Sequence, residues 1–222
     1  MLTISVKHTI FIFDLDDTLY SEREYERSGI SFVYYYLLKN GVKLSEGINL
    51  ETLLINRNQW IEKLIQSFEI PSIVTRDEIL ALYRSHKPNI NLYPDAKVLL
   101  DQIKILNGKI AIITDGRSLS QRTKISALSL NEYTSDVYIS EEVGHVKPDP
   151  YSFIKIVDKY IGYQFLYIGD NPKKDFLVPN ELGWTTICRL NNGQNVHKQT
   201  FQVESNYIPQ FKIRSFNEIR LI

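Results

Sequence analysis

The chain has a single cysteine, Cys188, which excludes an intramolecular disulfide and any zinc site built from several cysteines. The residues before it, Trp184-Thr185-Thr186-Ile187, read as a buried strand, so Cys188 is expected to be a small core side chain. No run approaches the ~20 apolar residues of a membrane-spanning helix. The apolar stretch from Ile10 to Phe13 stops at Asp14, and the first residues lack the charged-then-apolar layout of a secretory leader, so a cytoplasmic enzyme is the expectation. There is no excess charge of either sign, because 26 Lys and Arg balance 26 Asp and Glu. With no dense Lys/Arg run either, neither nucleic acid nor an anionic membrane is an expected partner. Internal repeats and low-complexity linkers are also missing. What is present suits a globular enzyme: 222 residues, 43% of them hydrophobic, can bury a full core, and fit one α/β domain carrying a sizeable insertion better than two equal domains.

The run from His8 to Phe13 is β-branched and aromatic, and it ends abruptly at carboxylates. A continuous apolar run of this kind predicts a strand covered on both faces, as in a parallel sheet. The pattern returns at Lys109–Ile113, Asp136–Ile139, Phe165–Ile168 and Thr185–Cys188. Helical segments lie between these strands: Asp95–Asn107, closed by Gly108; Ser118–Leu130; and Pro150–Ile161, with proline in its first turn. Strand and helix alternate from Tyr93 onward, which predicts a doubly wound sheet. Residues 20–92 break the rhythm. They hold no strand signature but two capping boxes, Ser21 with Glu24 and Thr75 with Glu78, and between them the apolar-periodic stretch Leu50–Phe68. The tail from Asn191 to Ile222 is polar and then mixed, and reads as a closing strand and helix.

In a parallel sheet, ligands bind at the carboxyl ends of the strands. The first strand delivers Asp14-Leu15-Asp16-Asp17-Thr18 there, the second Thr114-Asp115-Gly116, and the fourth Gly169-Asp170 followed by Asp175; Lys147 comes after the third. In extended chain Asp14 and Asp16 point the same way while Leu15 turns into the core. Two carboxylates so close cannot both ionise cheaply unless a cation intervenes. With Asp170 they make an oxygen-rich site suited to Mg²⁺, a hard ion that takes few protein ligands and keeps its waters. Lys147 adds a point charge and Thr114 a hydroxyl, the equipment for stabilising a phosphoryl group in transfer.

Four features together, DLDDT at 14–18, Thr114 closing an apolar strand, Lys147 in a KPDP context and GDNPKKD at 169–175, resemble the haloacid dehalogenase-like (HAD) hydrolase superfamily over about residues 8–190. The resemblance implies a Rossmann-like three-layer α/β core with a parallel sheet at 1–19 and 93–222, and a small all-helical cap at 20–92 that closes over the site. It implies Asp14 as nucleophile, Asp16 as general acid and then base, and Thr114 and Lys147 as holders of the phosphoryl oxygens. Mg²⁺ would be bound by Asp14, Asp170 and the main-chain carbonyl of Asp16, with Asp175 orienting the metal's waters or Lys147. The expected activity is a Mg²⁺-dependent phosphatase acting on a small phosphorylated metabolite through an aspartyl-phosphate. A phosphomutase on the same scaffold needs the same residues, and a non-catalytic binding protein with a relic site is the rival from another class. Two departures matter. Asp115 stands where the family often has asparagine, and its role is left open. Asp16 stands where true dehalogenases lack a carboxylate, which disfavours carbon–halogen cleavage, since a halide leaves without a proton.

Other residues read more plainly. His145 is expected to be structural or exposed. Arg23 and Arg27, among Glu22, Glu24 and Glu26, suit a solvated ion-pair face or a grip on a substrate anion, and at least one ring of Tyr34-Tyr35-Tyr36 should pack inside the helical insertion.

Overall fold

The computed structural model of the chain describes residues 1–69 and 74–222. The strands are β1 (Leu2–Ile4), β2 (Thr9–Phe13), β3 (Lys109–Thr114), β4 (Val137–Ile139), β5 (Gln164–Gly169), β6 (Thr185–Arg189), β7 (Phe211–Ile213) and β8 (Ile219–Leu221). Every residue of β2 is buried, which is why its sequence runs apolar without alternation: it lies at the middle of a parallel sheet of order β4-β3-β2-β5-β6-β7. Phe13 is in register with Ile112 on one side and Ile168 on the other. Chain order reverses at β2, with β3 and β4 laid down to one side and β5, β6 and β7 to the other. That reversal opens a crevice at the carboxyl rim, where loops from β2, β3 and β5 meet. This is the expected α/β core. One apolar cluster behind it joins Ile10 and Ile12 of β2 to Ala111, Ile113, Tyr167 and Cys188, so the lone cysteine is a core side chain as read.

The helices are α1 (Glu22–Lys39), α2 (Leu50–Ile55), α3 (Trp60–Gln66), α4 (Arg76–Ser85), α5 (Pro94–Ile105), α6 (Ser118–Ala127), α7 (Ser140–Val143), α8 (Tyr151–Lys159) and α9 (Leu177–Glu181). Two compact units divide the chain: Met1–Glu22 with Asn91–Ile222, and Arg23–Ile90. The second unit has its own core, in which Ile30, Val33 and Leu37 form the buried stripe of α1 against Leu53, Trp60, Leu64 and Ile79. Tyr34 packs at the edge of that core while Tyr35 is exposed. The capping box of Thr75 and Glu78 opens α4 as expected. The stretch Leu50–Phe68 is not continuous helix: at Asn56 the side-chain amide and the backbone N–H both return to the carbonyl of Thr52, ending α2 before a short 3₁₀ turn leads into α3.

The tail differs from expectation. It contains β7 and β8, joined through one 3₁₀ turn, and no α-helix, and β8 pairs with β1 in a separate two-stranded sheet that was not anticipated. Polar residues 191–202 have no apolar period to drive a helix, and side-chain hydrogen bonds organise them instead: Asn191 Oδ1 accepts from the N–H groups of Gly193 and Asn195. Farther on, Asp95 at the start of α5 binds the Arg189 guanidinium at 3.0 and 3.2 Å, the Ser215 hydroxyl and the Phe216 N–H. Arg189 itself lies over the rings of Tyr93 and Phe216, so one buried node fastens the tail to the sheet. Among the described residues, no helix is long and apolar enough to cross a membrane.

Candidate active site

The carboxyl rim holds a cavity of about 260 Å³ lined by Asp14, Asp16, Thr114, Lys147, Asp170 and Asp175, all six residues singled out from the sequence. Asp14 continues β2 by one residue, its N–H bonded to the carbonyl of Ile168 on β5 at 2.9 Å. Its carboxylate is held on both oxygens: Lys147 Nζ donates to Oδ1 at 2.6 Å, and the buried Thr18 hydroxyl donates to Oδ2 at 3.2 Å. Lys147 reaches on to Asp175 Oδ1 at 2.7 Å and the Tyr167 hydroxyl at 3.2 Å. Asp175 completes the bundle by accepting the Asn171 N–H at 2.8 Å. These groups are almost without solvent contact, so each charge survives only through its partners.

Oxygens of Asp14, Asp170 and Asp175 lie within 4.8 Å of one another. Lys147 is hydrogen-bonded to two of these acids, while Asp170 is bonded instead by the neutral amide of Asn195 at 2.7 Å. Burial, and then the charges of Asp175, Asp14 and Asp17, push the Asp170 carboxyl well above its ordinary range. Burial also lifts Asp14, to about 7, against the opposing pull of Lys147 and with the help of Asp175. A buried, oxygen-only cluster with more negative than positive charge is what a hard divalent cation complements, so these residues fit Mg²⁺.

Asp16 has different company. Although burial alone would raise its carboxyl, the ammonium of Lys124 at 2.7 Å, together with hydrogen bonds from Lys124, Tyr20 and Gln121, holds it below the usual range. Lys124 and the Tyr20 hydroxyl share Oδ1, and Gln121 Nε2 donates to Oδ2 at 2.9 Å. Sequence reasoning missed this clamp. No sequence signal marked it, because α6 reads polar on every side and only its burial in the fold reveals the stripe that carries Gln121 and Lys124.

Asp115, left open from the sequence, is a brace for the loops: it accepts the backbone N–H of Lys147 at 3.0 Å and the ammonium of Lys174 at 2.8 Å. Asp17, in the left-handed region at φ 54°, accepts from the N–H groups of Glu22 and Val196. Through Val196, Asn195 and Gln199, which donates to the carbonyl of Asp170 at 2.6 Å, the 191–202 segment wraps one side of the site. Nothing in the pattern of that segment announced it. His145 stands apart, exposed and stacked on Tyr151 with Asp149 at 3.1 Å. In the helical unit, Glu26 is paired with Arg57 rather than with its neighbours on α1, and Arg27 is exposed.

A family model described as haloacid dehalogenase-like hydrolase matches residues 11–188. The chain is 28% identical to the glyceraldehyde 3-phosphate phosphatase of Methanocaldococcus jannaschii over 189 residues, 79% of this chain and 82% of that one. The protein of the same name from Methanopyrus kandleri is 24% identical over 91% of each. Among solved structures, the magnesium-bound HAD-hydrolase YfnB of Bacillus subtilis superposes with a TM-score of 0.63 at 17% identity, over 95% of this chain and 96% of that chain, a likeness of fold.

Two predictions come from this geometry. A Cβ added at Gly169 would lie 2.5 Å from Asp175 Oδ2 and 2.6 Å from its Cγ, so no side chain fits where Asp175 folds back beneath β5. Gly169→Ala should lower stability in urea denaturation by about 1–3 kcal/mol, and unchanged stability would mean that Asp175 is free to shift. The second concerns pH. A carboxyl raised on folding contributes stability that is fully present below its unfolded value of 3.8 and is lost as pH climbs through about 7. Asp16 and Asp95, held low, complete their opposite contribution near the unfolded value. In EDTA the unfolding temperature should therefore fall between about pH 5 and 7, and Mg²⁺ at pH 7 should restore it; a steady rise over that window contradicts the assignment.

Proposed function

The chain belongs to the haloacid dehalogenase-like hydrolases, and from that premise we propose that it is a Mg²⁺-dependent phosphatase that carries the phosphoryl group of a small monoester transiently on Asp14. The observation that carries this reading is the Lys147 bundle: an aspartate bound to a buried ammonium at 2.6 Å, within 4.8 Å of two further acids, at the reversal point of a parallel sheet. As a hydrolase of phosphoric monoesters, the enzyme runs two displacements at phosphorus. First the Asp14 oxygen bonds to phosphorus as the ester oxygen departs, and Asp16 delivers a proton to that oxygen. Then water attacks the same phosphorus, Asp16 takes its proton, and inorganic phosphate leaves with Asp14 restored.

Each side chain has a task in this sequence. Lys147 and the Thr114 hydroxyl hold the phosphoryl oxygens, and the Lys147 charge permits an anionic nucleophile to approach an anionic ester. Mg²⁺ would be held by Asp14, Asp170 and the main-chain carbonyl of Asp16, and would supply positive charge to offset the two oxyanions. Asp16 is held as a carboxylate by Lys124, so the proton it gives away can arrive on the monoanionic form of the ester, whose second ionisation lies near pH ~6. A proton donor at Asp16 serves an alkoxide leaving group and is superfluous for a halide, which supports ester cleavage over dehalogenation.

The substrate is a small sugar phosphate or a similar metabolite. The two archaeal relatives named for glyceraldehyde 3-phosphate support that size class, and the helical unit inserted after the first motif is the counterpart of the family's cap. Purified enzyme should release inorganic phosphate from glyceraldehyde 3-phosphate and from p-nitrophenyl phosphate with Mg²⁺, lose this activity in EDTA, and lose at least about a thousandfold in Asp14→Asn. Equal rates for the wild type and Asp14→Asn would overturn the assignment of the nucleophile, and turnover without net phosphate release would indicate a mutase.

A further inference from the structure

We propose that Lys124 and Gln121, one turn apart on α6, are positioning residues that fix the Asp16 carboxyl group for proton transfer; the inference rests on the phosphatase reading of the same site. Both side chains are almost fully buried, and both reach Asp16: Lys124 Nζ at 2.7 Å from Oδ1 and Gln121 Nε2 at 2.9 Å from Oδ2. The Tyr20 hydroxyl, on a fully buried side chain, also donates to Oδ1. A carboxylate engaged on both oxygens by groups from two different elements has one orientation, whereas an aspartate beside a cavity normally samples several. Proton transfer needs donor and acceptor atoms about 2.6–3.2 Å apart, so that single orientation matters in both displacements.

Gln121 also ties this group to the phosphoryl-binding side of the cavity. Its Nε2 lies 2.6 Å from Thr114 Oγ1 and 3.0 Å from the carbonyl of Asp115, as well as 2.9 Å from Asp16. An amide nitrogen has two hydrogens for these three acceptors, so the contacts compete, and a phosphoryl oxygen engaging Thr114 bears directly on how firmly Asp16 is held. A plain structural ion pair would explain burial of the lysine but not this arrangement. Buried pairs contribute little net stability compared with apolar packing, and α6 already has Ile125 in the core.

The test separates proton-dependent from proton-independent leaving groups. In Lys124→Met, turnover of an alkyl phosphate such as glyceraldehyde 3-phosphate should fall by about 100-fold, because alkoxide departure needs the positioned acid. With 2,4-dinitrophenyl phosphate, whose phenolate leaves unprotonated, the variant should give a stoichiometric burst within about threefold of the wild-type rate, followed by slow turnover while hydroxylamine-sensitive phosphoenzyme accumulates. Lys124→Arg, which keeps the cation, should recover most of the alkyl-phosphate rate. An equal loss on both substrates without a burst, or no loss on either, overturns the inference. If Lys124→Met does not fold, Gln121→Met carries the same expectation with a smaller effect. A wild type inactive on both substrates overturns the phosphatase reading and this inference with it, whereas an active wild type matched by both variants overturns this inference alone.

Discussion

The ammonium of Lys147 holds the site together by touching Asp14 and Asp175 at once. Removing any one of the three would leave a buried charge without its partner, which costs far more than losing an exposed pair would. The constraint propagates outward. Asp175 has to fold back under β5, which is possible only because Gly169 has no Cβ. The loop bearing Lys147 has to be held at a fixed height, and Asp115 does that by accepting its backbone N–H. Asp14 has to stand beside β5, and the register of Phe13 with Ile168 ensures it.

The site remains over-supplied with negative charge. Asp14, Asp16, Asp17, Asp115, Asp170 and Asp175 all line one cavity, against Lys147 and Lys174 at its wall and Lys124 behind it. For a structural interior this composition would be unfavourable, since like charges close together in low dielectric raise one another's proton affinity. Under the proposed phosphatase reading it would become favourable, because a divalent cation would offset the acids and the phosphoryl group would offset the lysine. Stability is thus given up at the rim and recovered in the apolar cluster beneath it, where Ile10, Ile12, Phe153 and Trp184 are buried.

Much of this was legible in the sequence, for a physical reason. A strand buried on both faces is a continuous apolar run, and functional residues of a parallel sheet follow directly at its end, so Asp14, Thr114 and Asp170 could be read from the points where apolar runs stop. The remainder depends on side chains that approach from elsewhere. Asn195 and Gln199 come from a polar segment whose path is set by hydrogen bonds and not by periodicity. Gln121 and Lys124 lie on a helix that looks polar all round, and only the fold turns their side toward Asp16. The expected helix in the tail failed for the same reason: the segment is organised by the Asp95–Arg189 node and by pairing of β8 with β1, both distant in sequence.

The central claim is that a covalent bond forms between phosphorus and Asp14. Quenching the enzyme during turnover and reducing it with borohydride converts an aspartyl-phosphate to homoserine, which peptide mass spectrometry locates. The account predicts homoserine at position 14, dependent on substrate and absent without it. Rapid turnover with no conversion at Asp14, or conversion at Asp170 or Asp175 instead, would contradict it.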